Sequence, residues 1–483
     1  MSRYLHVSSY LFRRICRTAT RSSRIERRHR VVTARRSTEE GSSSRSHVAW
    51  RSSRTAPAPS YVRATFKMVR ISATTMVTRR MMTAPRVRAS RRATATAAAT
   101  VTARRAATTS KCRPLRLLSS YDEVVDALCR ELGTTSAGDV VEFSVYVFER
   151  GKSSEAVMEA MKRAARRGVR IKCAVDGSAV SKFTRWCEGS TTLTDELHEL
   201  QRALNGFTFT PVTQATHAKF MIVERRHGTG LPSIIFGGVN VGDRFSRWRD
   251  FAIRAEGRGV VDAMRDALAG RGGESAPWSD DAEIAFATNL PNGFCPLAWT
   301  FPRYFDFPGR FDVRPAMTGL LRDTRYRDYT IAMAYIDTVG AEMLDIALRR
   351  ENTRMTLVVP RTPNVYQDAN RKAIKRLFET NRARRGGDSS NLEVYLLEDM
   401  LHAKVLYAES VDTEVPDVSM LGSCNLKQRS LGQFVELNAS IRQPALTMAL
   451  KRQLRGLVND SLALTERDLR YMEPKATIEE WMG

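Results

Sequence analysis

Two segments of this 483-residue chain carry the same polar pattern at a constant separation of 185 positions. The matching pairs are His217 and His402, Lys219 and Lys404, Glu224 and Glu409, Gly237 and Gly422, and Asn240 and Asn425. An alanine also recurs between each histidine and lysine. Six identities in one register indicate an internal duplication. The repeat therefore predicts two halves of similar structure.

Helix and strand patterns alternate in both halves, which is typical of an α/β fold. In the first half we predict a helix opened by a capping box at Ser120, strands at 141–149 and 170–175, and a helix at 154–167 that ends at Gly168. In the second we predict strands at 329–336 and 355–359, a helix at 341–350 and a last helix from Pro444 to about 464. The resulting domains are 114–290 and 291–483, the latter including a linker, although the boundary fits anywhere from about 275 to 315.

The basic residues are concentrated before residue 114. That segment holds 27 of the 77 Lys and Arg residues but 3 of the 52 acidic ones, so 50 basic and 49 acidic residues remain for the rest of the chain. The composition of residues 1–113 predicts a disordered basic targeting segment, and thus an organellar protein of plastid or mitochondrion. Two alternatives are a basic arm that contacts nucleic acid or anionic lipid, and a gene model that starts too early.

The repeated residues suit chemistry on a phosphodiester. Residues i and i+2 of a strand share a face, so His217 projects with Lys219, and His402 with Lys404. We expect the Gly-x-x-Asn turns, which include Gly238 and Ser423 as second residues, to let the backbone approach a ligand and to present Asn240 and Asn425 to phosphate oxygens. Facing copies would give two histidines for covalent and acid–base catalysis, with lysines that stabilise charge. Neither a metal nor a cofactor is required.

Four acidic residues accompany the motifs. Asp250 follows the first histidine by 33 residues, and Glu436 follows the second by 34. We expect each acid to orient an imidazole, although both also fit ordinary acids at strand ends. Glu224 and Glu409 should point away from the site, and we expect them to anchor their hairpins through backbone hydrogen bonds or ion pairs.

Other sequence features limit the alternatives. The seven cysteines are scattered without a CxxC pair, which argues against a disulfide framework and a zinc site. No uncharged apolar run approaches the roughly 18–20 residues that span a bilayer. We therefore expect a peripheral enzyme that binds a lipid substrate at the membrane surface. We also expect the enzyme to be a monomer.

From about Leu115 onward the chain resembles the phospholipase D superfamily, and most of all bacterial-type cardiolipin synthases. The segments that carry the resemblance are Gly237-Gly-Val-Asn-Val-Gly-Asp243, Trp248-Arg-Asp250, Leu401-His-Ala-Lys404, Gly422-Ser-Cys-Asn-Leu-Lys-Gln-Arg-Ser430 and Phe434-Val-Glu-Leu-Asn438. The resemblance implies two lobes related by pseudo-twofold symmetry, each a mixed β-sheet flanked by helices. It also implies a phosphohistidine intermediate, with His217 as nucleophile and His402 as general acid.

The chain departs from the family pattern in three ways. Glutamate replaces the usual aspartate in both copies, at Glu224 and Glu409, and the hairpin that follows is longer than usual. The N-terminal membrane helices of bacterial cardiolipin synthases have no counterpart in the sequence. These departures bear on the substrate more than on the chemistry.

The leading hypothesis is a phosphatidyltransferase or phospholipase that acts on an anionic phospholipid. The alternative is a nuclease or DNA-end phosphodiesterase that uses the same two histidines, two lysines and two asparagines. Local basic clusters such as Arg382 to Arg385 fit this alternative. The near-neutral charge after residue 113 disfavours a groove that follows several phosphates. A third possibility, a binder without catalysis, is disfavoured because both copies keep His, Lys and Asn.

Overall fold

The computed structural model describes residues 115–176, 193–212, 216–226, 230–271, 283–293, 295, 307–385 and 390–482. The predicted targeting segment, residues 1–113, lies outside these ranges. Within them, no helix is long and apolar enough to cross a lipid bilayer.

The first half of the described chain contains a seven-stranded sheet. Its elements are β1 (Arg116–Leu118), α1 (Tyr121–Gly133), β2 (Val140–Val145), α2 (Lys152–Arg166), β3 (Arg170–Asp176), α3 (Thr194–Ala203), β4 (Phe207–Val212), β5 (Lys219–Glu224), β6 (Ser233–Gly237), a 3-10 helix (Asp243–Arg247), β7 (Ala252–Glu256) and α4 (Arg258–Leu268). The strand order is β1-β7-β6-β5-β2-β3-β4. Strands β2, β3 and β4 are parallel, and the other pairings are antiparallel.

The second half contains a nine-stranded sheet. Its elements are β8 (Ile284–Pro291), β9 (Gly309–Phe311), α5 (Val313–Arg322), β10 (Tyr326–Met333), α6 (Thr338–Leu348), β11 (Arg354–Pro360), α7 (Gln367–Arg385), β12 (Leu392–Leu397), β13 (Lys404–Ser410), β14 (Val418–Gly422), α8 (Gln428–Gly432), β15 (Glu436–Ile441), α9 (Pro444–Asn459), β16 (Ser461–Ala463), a 3-10 helix (Glu466–Leu469) and α10 (Glu473–Met482). The order is β16-β12-β11-β10-β13-β14-β15-β8-β9. Its seven inner strands repeat the first sheet, so the prediction of two mixed sheets flanked by helices is confirmed.

The structure moves the boundary between the halves towards the N-terminus. Strand β8 pairs with β15 from Ile284↔Ile441 to Asn289↔Glu436. It takes the edge position that β1 holds beside β7 in the first sheet. Residues 284–290 therefore belong to the second sheet, and not to the first domain as the limit at residue 290 implied. The new position still lies within the range of 275 to 315.

Local sequence signals explain where several helices begin and end. The Ser120 hydroxyl accepts a 3.2 Å hydrogen bond from the Glu123 N–H at the start of α1. Gly168, just past α2, has the positive φ of +90° that suits glycine. Helix α9 begins with Pro444 but ends at Asn459, earlier than expected, because the chain returns as β16 beside β12.

Three apolar layers hold the two sheets and their helices together. One core lies between the first sheet and α1, α2 and α3, and a second lies between the other sheet and α5, α6 and α7. A third core combines residues of both sheets, such as Phe236 and Tyr407, with residues of α4 and α9. The sheets thus pack against each other, and the loops at the start of β5 and β13 meet at their seam.

Candidate active site

Backbone hydrogen bonds between the halves place the two histidines at this seam. The His217 N–H donates to the Val435 carbonyl over 2.9 Å, and the His402 N–H donates to the Arg249 carbonyl over 2.8 Å. The alanine after each histidine donates to the same carbonyl, over 3.0 and 3.1 Å. Each histidine is therefore held by the segment of the other half that comes just before the candidate orienting acid.

The orienting acids pair with the histidines across the seam. Nδ1 of His217 lies 3.1 Å from Oε2 of Glu436, and Nδ1 of His402 lies 2.6 Å from Oδ2 of Asp250. Each acid therefore contacts the imidazole of the other copy. The partners are exchanged because the backbone bonds of the seam bring each acid-bearing segment to the other half's histidine.

The residues beside the two acids differ. The Ser423 hydroxyl donates to Oε2 of Glu436, the oxygen that faces His217. At the matching position of the first copy, a Cβ on Gly238 would lie 2.3 Å from Oδ1 of Asp250, so a side chain has no room there. Oδ1 of Asp250 instead accepts a 2.8 Å hydrogen bond from the Phe251 N–H.

The two lysines of the repeated motif, Lys219 and Lys404, are buried beside the histidines. Lys219 donates to the carbonyl oxygen of His217 over 2.6 Å. Lys404 donates to the carbonyl of His402, and its Nζ also lies 2.9 Å from Nδ1 and 3.1 Å from Nε2 of that ring. The second lysine thus contacts its imidazole directly, which sets the two histidines apart.

Burial lowers the pKa of both histidines and both lysines of the site. It lowers the pKa of His217 to about 4, against the attraction of Glu436, and lowers the pKa of His402 to about 3, with repulsion from Lys404 adding to the shift. Burial also lowers the pKa of Lys219 to about 7, helped by the charge of Lys404, and that of Lys404 to about 8. Two amines held in so little water favour an anionic ligand between them.

The two asparagines of the turns are used differently. Oδ1 of Asn240 accepts a 3.1 Å hydrogen bond from the Val147 N–H, so its NH₂ group carries the remaining donors. Asn425 is 1% exposed, and neither polar atom of its side chain has a hydrogen-bond partner among the residues that the structure describes. A buried amide without partners is costly, which is consistent with a group that binds ligand.

The glycines that begin the two turns lie against neighbouring strands. A Cβ at Gly237 would lie 2.3 Å from the Phe251 carbonyl oxygen, and one at Gly422 would lie 2.2 Å from that of Leu437. Glycine is required at both positions because the neighbouring strand, β7 or β15, approaches closely.

Glu224 and Glu409 anchor their hairpins through ion pairs, one of the two expected arrangements. Glu224 pairs with Arg258 and Arg265 of α4. Glu409 pairs with Lys451 of α9 over 2.7 Å. Both acids therefore fasten a strand to the helix behind it.

Sequence reasoning missed the aromatic residues around the imidazoles. The Tyr146 ring centroid lies 5.1 Å from that of His217, and Trp248 lies 4.9 Å from His402. Phe434 and Tyr335 complete these walls at 6.3 Å from His217 and 6.2 Å from His402. Trp248 and Phe434 lie in segments that carry the family resemblance, but they were given no role because aromatic residues near strand ends more often belong to a core.

The family model described as cardiolipin synthase, PLD-like domain, matches residues 128–268. These residues form most of the first half, and the second half repeats its sheet and its motif. The first half of the chain therefore contains a phospholipase D-like domain. No curated protein matches the sequence significantly.

Two solved structures of low sequence identity resemble this phospholipase D-like chain. Phosphatidylserine synthase of Haemophilus influenzae Rd KW20 is 12% identical, with a TM-score of 0.54 over 75% of this chain and 91% of that one. Polyphosphate kinase of Porphyromonas gingivalis is 13% identical, with a TM-score of 0.47 over 76% of this chain and 52% of that one. The first likeness supports the fold of two packed sheets.

Proposed function

We propose that this phospholipase D-like chain transfers or hydrolyses the phosphatidyl group of an anionic phospholipid, through a phosphohistidine, at an organellar membrane surface. The observation that carries the proposal is the pair of exchanged contacts, His217 with Glu436 and His402 with Asp250, which brings both imidazoles into one site. Buried Lys219 and Lys404 supply the positive charge for a phosphodiester at the same place.

The reaction proceeds in two balanced steps. The neutral His217 ring attacks phosphorus with Nε2, since Nδ1 faces Glu436, and the bond from phosphorus to the leaving oxygen breaks as His402 donates a proton to that oxygen. His402 then removes a proton from water or an acceptor alcohol, whose oxygen attacks phosphorus and releases His217. Oxygen from water gives phosphatidic acid, and an alcohol gives a new phospholipid.

The charge of Lys404 has to be offset before His402 can carry this proton. The Nζ of Lys404 lies 3.1 Å from Nε2 of His402, and its charge helps to lower the pKa of that ring. A bound phosphate anion offsets the charges of both lysines and so raises the pKa of His402 towards the range where the ring is protonated.

Charge favours a lipid over a nucleic acid. With 50 basic and 49 acidic residues after position 113, the catalytic region lacks the basic excess of a groove that follows several phosphates. The proposed location rests on the basic, acid-poor composition of residues 1–113. A fluorescent protein fused behind residues 1–113 should enter plastids or mitochondria, and a cytosolic signal would contradict the proposed location.

The full chain should be incubated with phosphatidylglycerol vesicles and, separately, with a labelled oligonucleotide, both in the presence of EDTA. We expect lipid to be consumed and, with phosphate-labelled lipid and rapid quenching, an acid-labile label on the protein. Cleavage of the oligonucleotide alone would overturn the lipid assignment. Turnover of neither substrate, without a labelled protein, would favour a binder.

A further inference from the structure

The chain that leaves strand β10 contacts both motif segments of the second half. The Ala334 N–H donates over 3.0 Å to the carbonyl of Ala403, which follows the second catalytic histidine. The Asp337 N–H donates over 3.0 Å to the carbonyl of Leu426, in the turn of the second motif. These four residues, 334–337, form a connecting segment, and its conformation affects the position of both parts of the motif.

The ring of Tyr335, within this connecting segment, packs against the proposed general acid. Its centroid lies 6.2 Å from that of His402, and the two rings meet edge to face with an interplanar angle of 79°. The Tyr335 hydroxyl donates to the side-chain oxygen of Asn364. Tyr335 is buried, so a shift of its backbone would move the wall against which the His402 ring packs.

One buried amide holds the backbone on both sides of Tyr335. Oδ1 of Asn370 accepts a 2.9 Å hydrogen bond from the Ile336 N–H, and Nδ2 of Asn370 donates over 3.1 Å to the Ala334 carbonyl. An amide offers a donor and an acceptor, so this single side chain satisfies two buried backbone groups. Asn370 is 3% exposed and lies in the first turn of α7, outside the repeated motif.

The first half supports the corresponding backbone in another way. Val147 holds the position of Tyr335, since the next residue in each half bridges the turn of its own motif. The Val147 N–H donates over 3.1 Å to Oδ1 of Asn240, the asparagine of the first motif. In the second half the support comes instead from Asn370, a residue of a separate helix. The two halves therefore differ in which residue fixes the backbone beside the site.

We propose that Asn370 is a positioning residue for proton transfer: it holds residues 334–336 so that Tyr335 keeps the His402 ring in its reactive orientation. The inference rests on the proposed function, because it takes His402 as the group that exchanges protons. Asn370 acts through Tyr335, and its removal should impair the proton transfer more than the attack on phosphorus. An asparagine that only stabilised the fold would show no such selectivity.

The test compares two phosphodiesters that differ in their leaving group. Phosphatidylglycerol loses an alkoxide, which needs a proton, whereas a phosphatidyl nitrophenyl ester loses a nitrophenolate, which leaves without one. The rate at which the full chain becomes labelled is measured in a single turnover with rapid quenching. Asn370→Ala should lower that rate by at least about tenfold with phosphatidylglycerol and leave it nearly unchanged with the nitrophenyl ester. Loss by the same factor with both, or with neither, would overturn the positioning role.

Two further variants follow the proposed chain of contacts. Asn370→Asp keeps the acceptor for the Ile336 N–H but lacks the donor for the Ala334 carbonyl. Its loss of rate should therefore be smaller than that of Asn370→Ala, and it gives the same comparison if Asn370→Ala fails to fold. Tyr335→Ala should show the selective loss of Asn370→Ala. Equal losses with both phosphodiesters in Tyr335→Ala would also contradict the proposal.

Asn381→Ala provides the matched control. Asn381 lies on the same helix with 1% exposure, and its amide donates over 3.4 Å to the Ser390 hydroxyl. It is three turns beyond Asn370, about 16 Å along the helix axis. Its removal should lower stability in urea unfolding without any dependence of the labelling rate on the leaving group. A selective loss in this variant would show that damage to α7 alone explains the effect.

Nitrogen-15 spectra of the histidines separate this inference from the proposed function, because they require no turnover. Asn370→Ala should shift the ring signals of His402 and leave those of His217 in place. If neither phosphodiester is consumed but only the His402 signals shift, the proposed function fails and the positioning of His402 by Asn370 remains. If phospholipid is consumed and the His402 signals match those of the wild type, the positioning role fails and the proposed function remains.

Discussion

The two halves agree in backbone and differ in the side chains around their histidines. Seven strands, both turns and all six repeated identities correspond. Around this common frame, however, His402 contacts its lysine and an aspartate, whereas His217 faces a glutamate that also accepts from Ser423. A two-step transfer requires one histidine to bond to phosphorus and the other to exchange protons. The differences show how a duplicated frame provides two unlike imidazoles.

The largest expected effect comes from removing either histidine. His217→Ala and His402→Ala should each lower kcat by at least about 10³-fold, because one loses the nucleophile and the other the proton donor. Steady-state turnover of phosphatidylglycerol gives the rates. With a phosphodiester whose leaving group needs no proton, we expect a labelled protein only from the His402 variant. Label on the His217 variant instead would reverse the two roles.

Substitutions of the two asparagines should affect activity and stability differently. Asn425→Leu should lower kcat by roughly 10²-fold, as expected for a lost donor to developing charge, without loss of stability. Asn240→Leu should also destabilise the fold by about 1–3 kcal/mol, because the Val147 N–H loses its partner. Urea unfolding and turnover measure the two effects. Equal destabilisation by both variants would contradict the different roles of the amides.

Neutralising the acids tests the exchange across the seam. Asp250→Asn and Glu436→Gln should each lower kcat by about 10–100-fold, through a misoriented imidazole. In nitrogen-15 spectra of the histidines, Asp250→Asn should change the tautomer signal of His402, and Glu436→Gln that of His217. A change in the tautomer signal of the histidine of the same copy would contradict the exchange.

The smallest effect concerns stability in acid. The pKa values of His217 and His402, about 4 and 3, lie below the ordinary value of about 6.5. The unfolded chain therefore binds protons that the folded chain does not, and stability falls as the pH falls from about 6.5 towards these values. His217→Asn or His402→Asn should reduce that slope by up to about 1.4 kcal/mol per pH unit. An unchanged slope in urea unfolding at several pH values would contradict the lowered pKa of that histidine.

Much of the fold followed from local patterns. The 185-residue offset indicated the duplication, and strands such as 170–175 and 355–359 were found within one residue of their observed limits. Capping at Ser120 and the turn at Gly168 were also confirmed. These features depend on residues close together in the chain, so periodicity and turn chemistry reveal them.

The features of the site that could not be predicted from the sequence depend on how the two halves pack. The exchange of Asp250 and Glu436 follows from backbone bonds at the seam, which no spacing within one copy reveals. The roles of Gly237 and Gly422 likewise follow from the carbonyls of neighbouring strands.

The backbone contacts across the seam have a mechanical consequence. The carbonyl of Arg249 holds His402, and that of Val435 holds His217, each just before the acid that orients the same ring. A separation of the sheets would break both contacts together, so each histidine depends on the other half for its position. The two copies of the duplication therefore form one catalytic unit.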